Sequence, residues 1–342
     1  MDSENGALLL NVICGRNARD VTFAELDSLL SLASAHGLIG HVHEALAREQ
    51  RSHSEWQALF EAQCINARVQ MQSAAEIGAA LKEAAIPCVF AKGVAFTATI
   101  YDTPGVRPFN DQDLLIRPED LRKTDEILRR LGFVLSADRS HPFEVSYRRE
   151  RLPGYPVSLD LHWDFASPDA LQAAERIPVA EILSRAQWVG AIPVPAPEDS
   201  LLLATANLIR KSAEPVMLIA DYARLSKLNI DWSQVAARAR AWGLSSGVWL
   251  GVKLAAEMFG TAMPTEITAL EPSSWRREWL LKHTRGERIW QSNRQSTFRY
   301  RIVFKLMCLN SFGEVLTVAA AMPRAVLRKA GFSRSLSADL PK

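Results

Sequence analysis

The hydrophobic period of this chain changes twice, and the two changes limit the folds that it can adopt. Apolar residues recur at helical spacing from Val21 to Ala85, where an Ile86-Pro87 step ends the pattern. Short apolar or alternating runs bounded by turn residues follow, and the helical spacing returns at Pro197. The pattern predicts an α+β fold, in which a small mixed β-sheet with helices on one face is flanked by N-terminal helices and a C-terminal helical domain.

The same two changes divide the chain into four predicted parts. These are an N-terminal helical region (residues 1–85), the sheet core (86–195), a C-terminal helical domain (196–330) and a disordered tail (331–342). Hydrophobic residues make up 48% and charged residues 23% of the 342 residues, which is enough for a sizeable core. Because no apolar run approaches the roughly 18 residues that span a bilayer and the first residues lack signal-peptide features, we expect a cytoplasmic protein.

Positive charge is concentrated at the C-terminal end of the chain. Residues 271–342 contain 14 Lys or Arg and five Asp or Glu, whereas the whole chain has a formal net charge of +2. A basic end of this kind suits an anionic partner. It is also typical of a solvated face that balances an acidic body, which is the simpler interpretation because no known binding motif organises the charges.

A pair of carboxylates occurs on a predicted strand over residues 109–116. On a strand, Asp111 and Asp113 project to the same side, about 6 to 7 Å apart. Two acids placed in this way repel each other unless a cation or a basic side chain lies between them. Mg²⁺ is the favoured cation, because one or two carboxylates together with substrate phosphates are enough to hold it.

A second predicted strand, over residues 156–165, alternates between apolar and polar side chains. Its polar face carries Ser158, Asp160 and His162, so Asp160 could complete a cluster of three carboxylates. Three acids on two strands can hold two Mg²⁺ ions about 3.5 to 4 Å apart, as in phosphoryl or nucleotidyl transfer. The pattern therefore indicates a two-metal site.

A third feature, Lys92-Gly93, closes a short apolar strand. Glycine lets the backbone approach a phosphate, and the N-terminus of the helix that follows favours negative charge. Lys92-Gly93 is therefore a candidate phosphate-binding turn.

Three motifs of this sequence resemble a known family. Ala91-Lys92-Gly93, the run from Arg107 to Ile116, and Asp160-Leu161-His162-Trp163 are similar to the bacterial uncharacterised nucleotidyltransferases of the polymerase-beta-like superfamily. The resemblance covers about residues 20–260. It implies a fold that binds a nucleoside triphosphate, with Asp111 and Asp113 as Mg²⁺ ligands, Asp160 as the third carboxylate, and Gly93 in the loop that approaches the triphosphate.

These observations together predict a metal-dependent nucleotidyltransferase. It would move a nucleoside monophosphate from a nucleoside triphosphate to an acceptor hydroxyl and release pyrophosphate. We expect the triphosphate to be ATP. Lys92, Arg107 and the Gly93 backbone would neutralise the triphosphate, and Asp160 would help to remove the acceptor proton. The sequence does not select among the possible acceptors, which are a small molecule, a peptide, a saccharide, a protein or an RNA.

Two alternatives use the same residues differently. Val94 follows Gly93 where the superfamily usually has Ser or Gly, and Gln112 occupies a position that is usually apolar, so the fold could serve as a nucleotide-binding or partner-binding module. Asp-x-Asp is also the motif with which metal-dependent glycosyltransferases hold a nucleotide diphosphate. A glycosyltransferase domain normally starts with a strand, however, whereas helices precede the motif here.

Overall fold

Four helices lead to the sheet. The structure is a computed structural model that describes residues 2–16, 18–136, 143–164, 176–291, 298–310 and 313–318. A capping box starts the second helix, because the Thr22 hydroxyl accepts from the Glu25 N–H and the Glu25 carboxylate accepts from the Thr22 N–H. The helices are α1 (Asp2–Ile13), α2 (Phe23–Ala35), α3 (Ile39–Arg48) and α4 (Ser54–Glu83). The helical period predicts the last three, and α1 is an addition to the prediction.

The middle of the chain forms a five-stranded mixed sheet. Its elements are β1 (Cys88–Ala91), α5 (Lys92–Thr99), β2 (Asp111–Ile116), a 3-10 turn (Pro118–Asp120), α6 (Leu121–Arg130), β3 (Val134–Leu135), β4 (Glu144–Leu152) and β5 (Tyr155–His162). The strand order is β1-β2-β5-β4-β3. Strand β2 runs parallel to β5, and the other neighbours are antiparallel. The predicted α+β fold with a small mixed sheet is therefore confirmed.

Helix α4 lies against one face of this sheet and holds the two central strands. The Gln112 amide of β2 is buried and donates to the backbone and side-chain oxygens of Gln70, at 2.9 and 3.0 Å. The Gln70 amide in turn donates to the Pro156 carbonyl at the start of β5, at 3.2 Å. Gln112 thus anchors β2 to α4, and by strand alternation the residues on either side of it face the other way.

The remainder of the described chain is largely helical. A short helix and a two-stranded hairpin, which the sequence analysis did not predict, precede the helical domain: α7 (Val179–Ser184), β6 (Gln187–Val189) and β7 (Ile192–Val194). The helices that follow are α8 (Pro197–Arg210), α9 (Met217–Leu225), α10 (Trp232–Trp242), α11 (Ser245–Phe259), α12 (Thr265–Thr268), α13 (Ser274–Thr284) and α14 (Phe298–Cys308), with a 3-10 turn (Gly286–Ile289) before α14. The tail predicted at 331–342 lies outside the described residues.

One hydrophobic core connects the helices with the sheet. Its largest fully buried side chains include Trp56 of α4, Phe90 of β1, Tyr222 of α9 and Phe304 of α14. Within the described ranges, no helix combines the length and the apolar character that crossing a bilayer requires.

Candidate active site

The strand register brings the three predicted aspartates onto one face of the sheet. Asp113 of β2 lies directly opposite Asp160 of β5, and Asp111 lies opposite Ser158. Asp111 is exposed at the start of β2, Asp160 is half-buried, and Asp113 is only 6% exposed. Because Gln112 holds the opposite face against α4, the acids face away from that helix.

Lys92 supplies a cation at the β1 side of this acidic face. It follows Ala91, which pairs with Asp113 across the sheet, and its Nζ forms a buried ion pair with Asp113 Oδ1. Its φ of +49° lies in the left-handed region, which is unusual for a residue other than glycine. Burial lowers the pKa of Lys92, and the positive charge of Arg210 at the end of α8 lowers it further. The charge of Arg210 is therefore felt at Lys92.

Asp113 is held from its other side by a buried histidine. His162 Nε2 lies 3.2 Å from Asp113 Oδ1, and His162 Nδ1 lies 3.5 Å from a carboxylate oxygen of Glu144. Burial by itself would raise the pKa of Asp113. The Lys92 ammonium and the hydrogen bond to His162 outweigh that effect and hold the pKa well below its usual range. Asp113 is therefore ionised at neutral pH, and its orientation is fixed by two partners.

Asp111 has the opposite electrostatic character. Part of its surface is open to water, yet the protein around it reduces the solvation of its charge and raises its pKa. Repulsion from Asp113, with a smaller contribution from Asp160, raises the pKa further. Asp160 is oriented by Ser146 of β4, whose hydroxyl donates to Asp160 Oδ1 at 2.7 Å.

Gly93 is required by close packing in the second position of α5. A Cβ atom there would lie 2.7 Å from three atoms of the Phe109 side chain, so a larger residue would displace the segment that leads into β2. This contact explains the glycine through packing alone. An approach of the Gly93 backbone to a triphosphate stays a prediction.

Arg107 forms a buried ion pair behind the acidic face. Its Nε donates to both Asp221 carboxylate oxygens, at 2.9 and 3.0 Å, and the Tyr101 hydroxyl donates to one of them at 2.7 Å. The Arg107 side chain is 5% exposed and that of Asp221 is 1% exposed. The pair ties the segment before β2 to α9, and a direct contact of Arg107 with the triphosphate also stays a prediction.

Four site residues were not among the sequence predictions. Alternation along β4 places Glu144 and Ser146 on one face and would have indicated both. Asp221 is the single acid in an apolar stretch of α9, which is a signal for a buried ion pair. No sequence pattern indicated Arg210, because only the tertiary fold brings the end of α8 near Lys92.

The site contains the donor types that a divalent cation prefers, without a preformed cage. Within the described residues, no group of three or more His, Cys, Asp or Glu is arranged so that it could hold a metal ion. A separate cavity of about 780 Å³, lined by residues of α3 and α9 among others, includes none of the predicted site residues.

An α+β fold in which a mixed sheet carries three aspartates on one face, beside a buried lysine, is the arrangement expected of a nucleotidyltransferase. Residues 24–260 match the family described as uncharacterised nucleotidyltransferase. The match spans more than half of the chain, so this protein belongs to that family and is a transferase of nucleotide groups. A search of curated proteins found no match. Family membership implies a nucleotide substrate and favours nucleotidyl transfer over the glycosyltransferase alternative.

Proposed function

We propose that this enzyme moves a nucleoside monophosphate from ATP to the hydroxyl of an acceptor, in a reaction that depends on Mg²⁺. The observation that carries the proposal is the register of β2 and β5, which sets Asp113 opposite Asp160 with Asp111 on the same face. The acceptor oxygen would form a bond to the α-phosphorus while the bond from that phosphorus to the bridging oxygen breaks. Pyrophosphate leaves, and the acceptor proton passes to Asp160.

The charges of the acidic face fit a divalent cation. Repulsion from Asp113 and Asp160 raises the pKa of Asp111, and a bound cation would relieve that repulsion. Mg²⁺ is commonly held by one or two carboxylates and substrate phosphates, so a preformed protein cage is not required. Asp111, Asp113 and Asp160 would therefore hold the metal, one or two ions, which would neutralise phosphate charge and activate the acceptor oxygen.

The protein's own cations would bind the triphosphate on the β1 side of the acids. Lys92 and Arg210 lie close enough for the charge of Arg210 to lower the pKa of Lys92, and anions are favoured where such charges gather. Arg107, 5% exposed and paired with Asp221, would act mainly by holding the segment that delivers Asp111. Ser146 would keep Asp160 turned in one direction for proton removal.

The test is ATP labelled at the α-phosphorus, incubated with Mg²⁺ and host lysate, with pyrophosphate release measured in parallel. We expect Asp113→Asn to lower label transfer by about 100-fold or more, because preorganised charge at the reacting phosphate is lost. Asp20→Asn is the matched control, since Asp20 is an exposed residue outside the family match. Equal transfer by wild type and Asp113→Asn would refute the proposed mechanism.

A further inference from the structure

A groove of about 550 Å³ opens at the end of the sheet where β2 and β5 begin, and no site residue predicted from the sequence lines it. Its walls come from α4, from the segment before β2, and from β4 and β5. They include Asn66, Asn110, Arg148, Tyr155 and Ser158. The volume is in the range of small-molecule sites. The groove is therefore large enough for a metabolite or for the end of a polymer, and too small for a folded macromolecule.

Arg148 is the only charged side chain among the described residues that line this groove. It is exposed, and no ion pair or side-chain hydrogen bond involves it within the described part of the chain. Its neighbours on β4 differ, because Arg149 and Arg151 both pair with Glu76 of α4 on the other face of the sheet. Arg148 thus presents a guanidinium without a charged partner in the described part of the chain, and a guanidinium can hold a phosphate or carboxylate through two parallel hydrogen bonds.

The register places Arg148 in the same cross-strand row as Asp111, the first acid of the proposed site. Asp111 pairs with Ser158, and Ser158 pairs with Arg148, so the three residues share one face on successive strands β2, β5 and β4. At about 4.8 Å between strands, the backbones of Asp111 and Arg148 lie about 10 Å apart. Lys92 stands on the other side of β2, next to β1. The triphosphate and a molecule bound in the groove would therefore reach the acids from opposite sides.

We propose that this groove binds the acceptor, and that the acceptor is a small molecule with both a hydroxyl group and an anionic phosphate or carboxylate that pairs with Arg148. The proposal rests on the proposed function and specifies its second substrate. The anionic group would lie within about two strand spacings of the reacting hydroxyl. The polar side chains of Asn66, Tyr155 and Ser158 would hydrogen-bond the uncharged part of the molecule.

The experiment compares wild type, Arg148→Glu, Arg148→Lys and the matched control Arg130→Glu, which changes an exposed arginine at the end of α6. Each full-length protein is incubated with α-labelled ATP, Mg²⁺ and lysate separated into small-molecule and macromolecular fractions. We expect Arg148→Glu to lower labelling in the small-molecule fraction by about 10- to 100-fold, because a charged hydrogen bond is replaced by repulsion. Arg148→Lys should retain part of the labelling, and Arg130→Glu should retain all of it.

Two further measurements separate this proposal from its rivals. The KM for ATP should be the same in wild type and Arg148→Glu, and an increase would show that the groove holds the nucleotide instead.

Treating the extract with phosphatase should abolish labelling if the anionic group is a phosphate, and methyl esterification should do so if it is a carboxylate. Labelling that survives both treatments, appears only in macromolecules, or is unchanged in Arg148→Glu would overturn the proposal. Absence of any label that depends on Asp113 would instead refute the proposed function itself.

Discussion

The buried pair of Arg107 and Asp221 should respond unequally to removal of either partner. Asp221→Ala leaves a guanidinium, 5% exposed, that cannot lose its charge, and breaking such a pair costs about 3 to 5 kcal/mol. Arg107→Met leaves Asp221 without its partner. Burial raises the pKa of Asp221 even when Arg107 is present, so without Arg107 this acid can take up a proton. A neutral buried group without its partner costs about 1 to 3 kcal/mol. We therefore expect Asp221→Ala to be the more damaging change by about 2 kcal/mol.

Urea unfolding, followed by the fluorescence of the nine tryptophans, measures these free energies of unfolding. The double variant Arg107→Met/Asp221→Ala should be more stable than Asp221→Ala alone, because it removes the uncompensated charge. Arg122→Ala is the control, since its pair with Glu126 has 84% and 59% exposed side chains and should contribute about 1 kcal/mol or less. A cost below about 1 kcal/mol for Asp221→Ala, or the reverse order of the single variants, would refute the reasoning.

Four further predictions follow from the site. Asp111→Asn should raise the urea midpoint at neutral pH, because its raised pKa makes the ionised form costly, while pyrophosphate release falls by about 100-fold or more. Asp113 has a lowered pKa, so its stabilising contribution is present above the unfolded pKa of about 3.9 and is lost progressively as the pH falls below that value. The urea midpoint of Asp113→Asn should therefore fall less steeply than that of the wild type when the pH is lowered through this range. Gly93→Ala should cost about 1 to 3 kcal/mol of stability through contact with Phe109, and less in a Phe109→Ala background. Mg²⁺ at 100 times its Kd should stabilise the wild type by about 2.7 kcal/mol in thermal unfolding and Asp113→Asn by clearly less, and equal gains would place the metal elsewhere.

Periodicity predicted the elements that are long or that alternate regularly. Helix α4 has 30 residues, and β5 alternates between apolar and polar positions, so each carries a repeated signal. The hairpin of β6 and β7 has three residues in each strand, which is too short for a period to be recognised. Its β6 residues are also exposed, so they carry no core pattern.

The sequence predicted which acids share a face but not what surrounds them. Alternation alone places Asp111 with Asp113, and Asp160 with His162. That Asp113 stands opposite Asp160 depends on the parallel register of β2 and β5, which is set by contacts such as the bond between Gln112 and α4. Motif spacing likewise assigned Gly93 and Arg107 to phosphate binding, although Phe109 and Asp221 are contacts that only the tertiary fold supplies.

The two acids of the Asp-x-Asp motif are adjacent on one face of β2 and yet differ in electrostatic state. Lys92 and His162 fix Asp113 and favour its ionised form, whereas Asp111 is accessible and has a pKa that its surroundings and the repulsion from Asp113 raise. An incoming cation gains most where negative charge is least compensated, which is at Asp111. Under the proposed mechanism, Asp113 would be the positioned anion between this cation and Lys92, with which it pairs. Replacement of Asp113 should accordingly disturb both stability and catalysis, while replacement of Asp111 should separate the two, with loss of activity in a more stable protein.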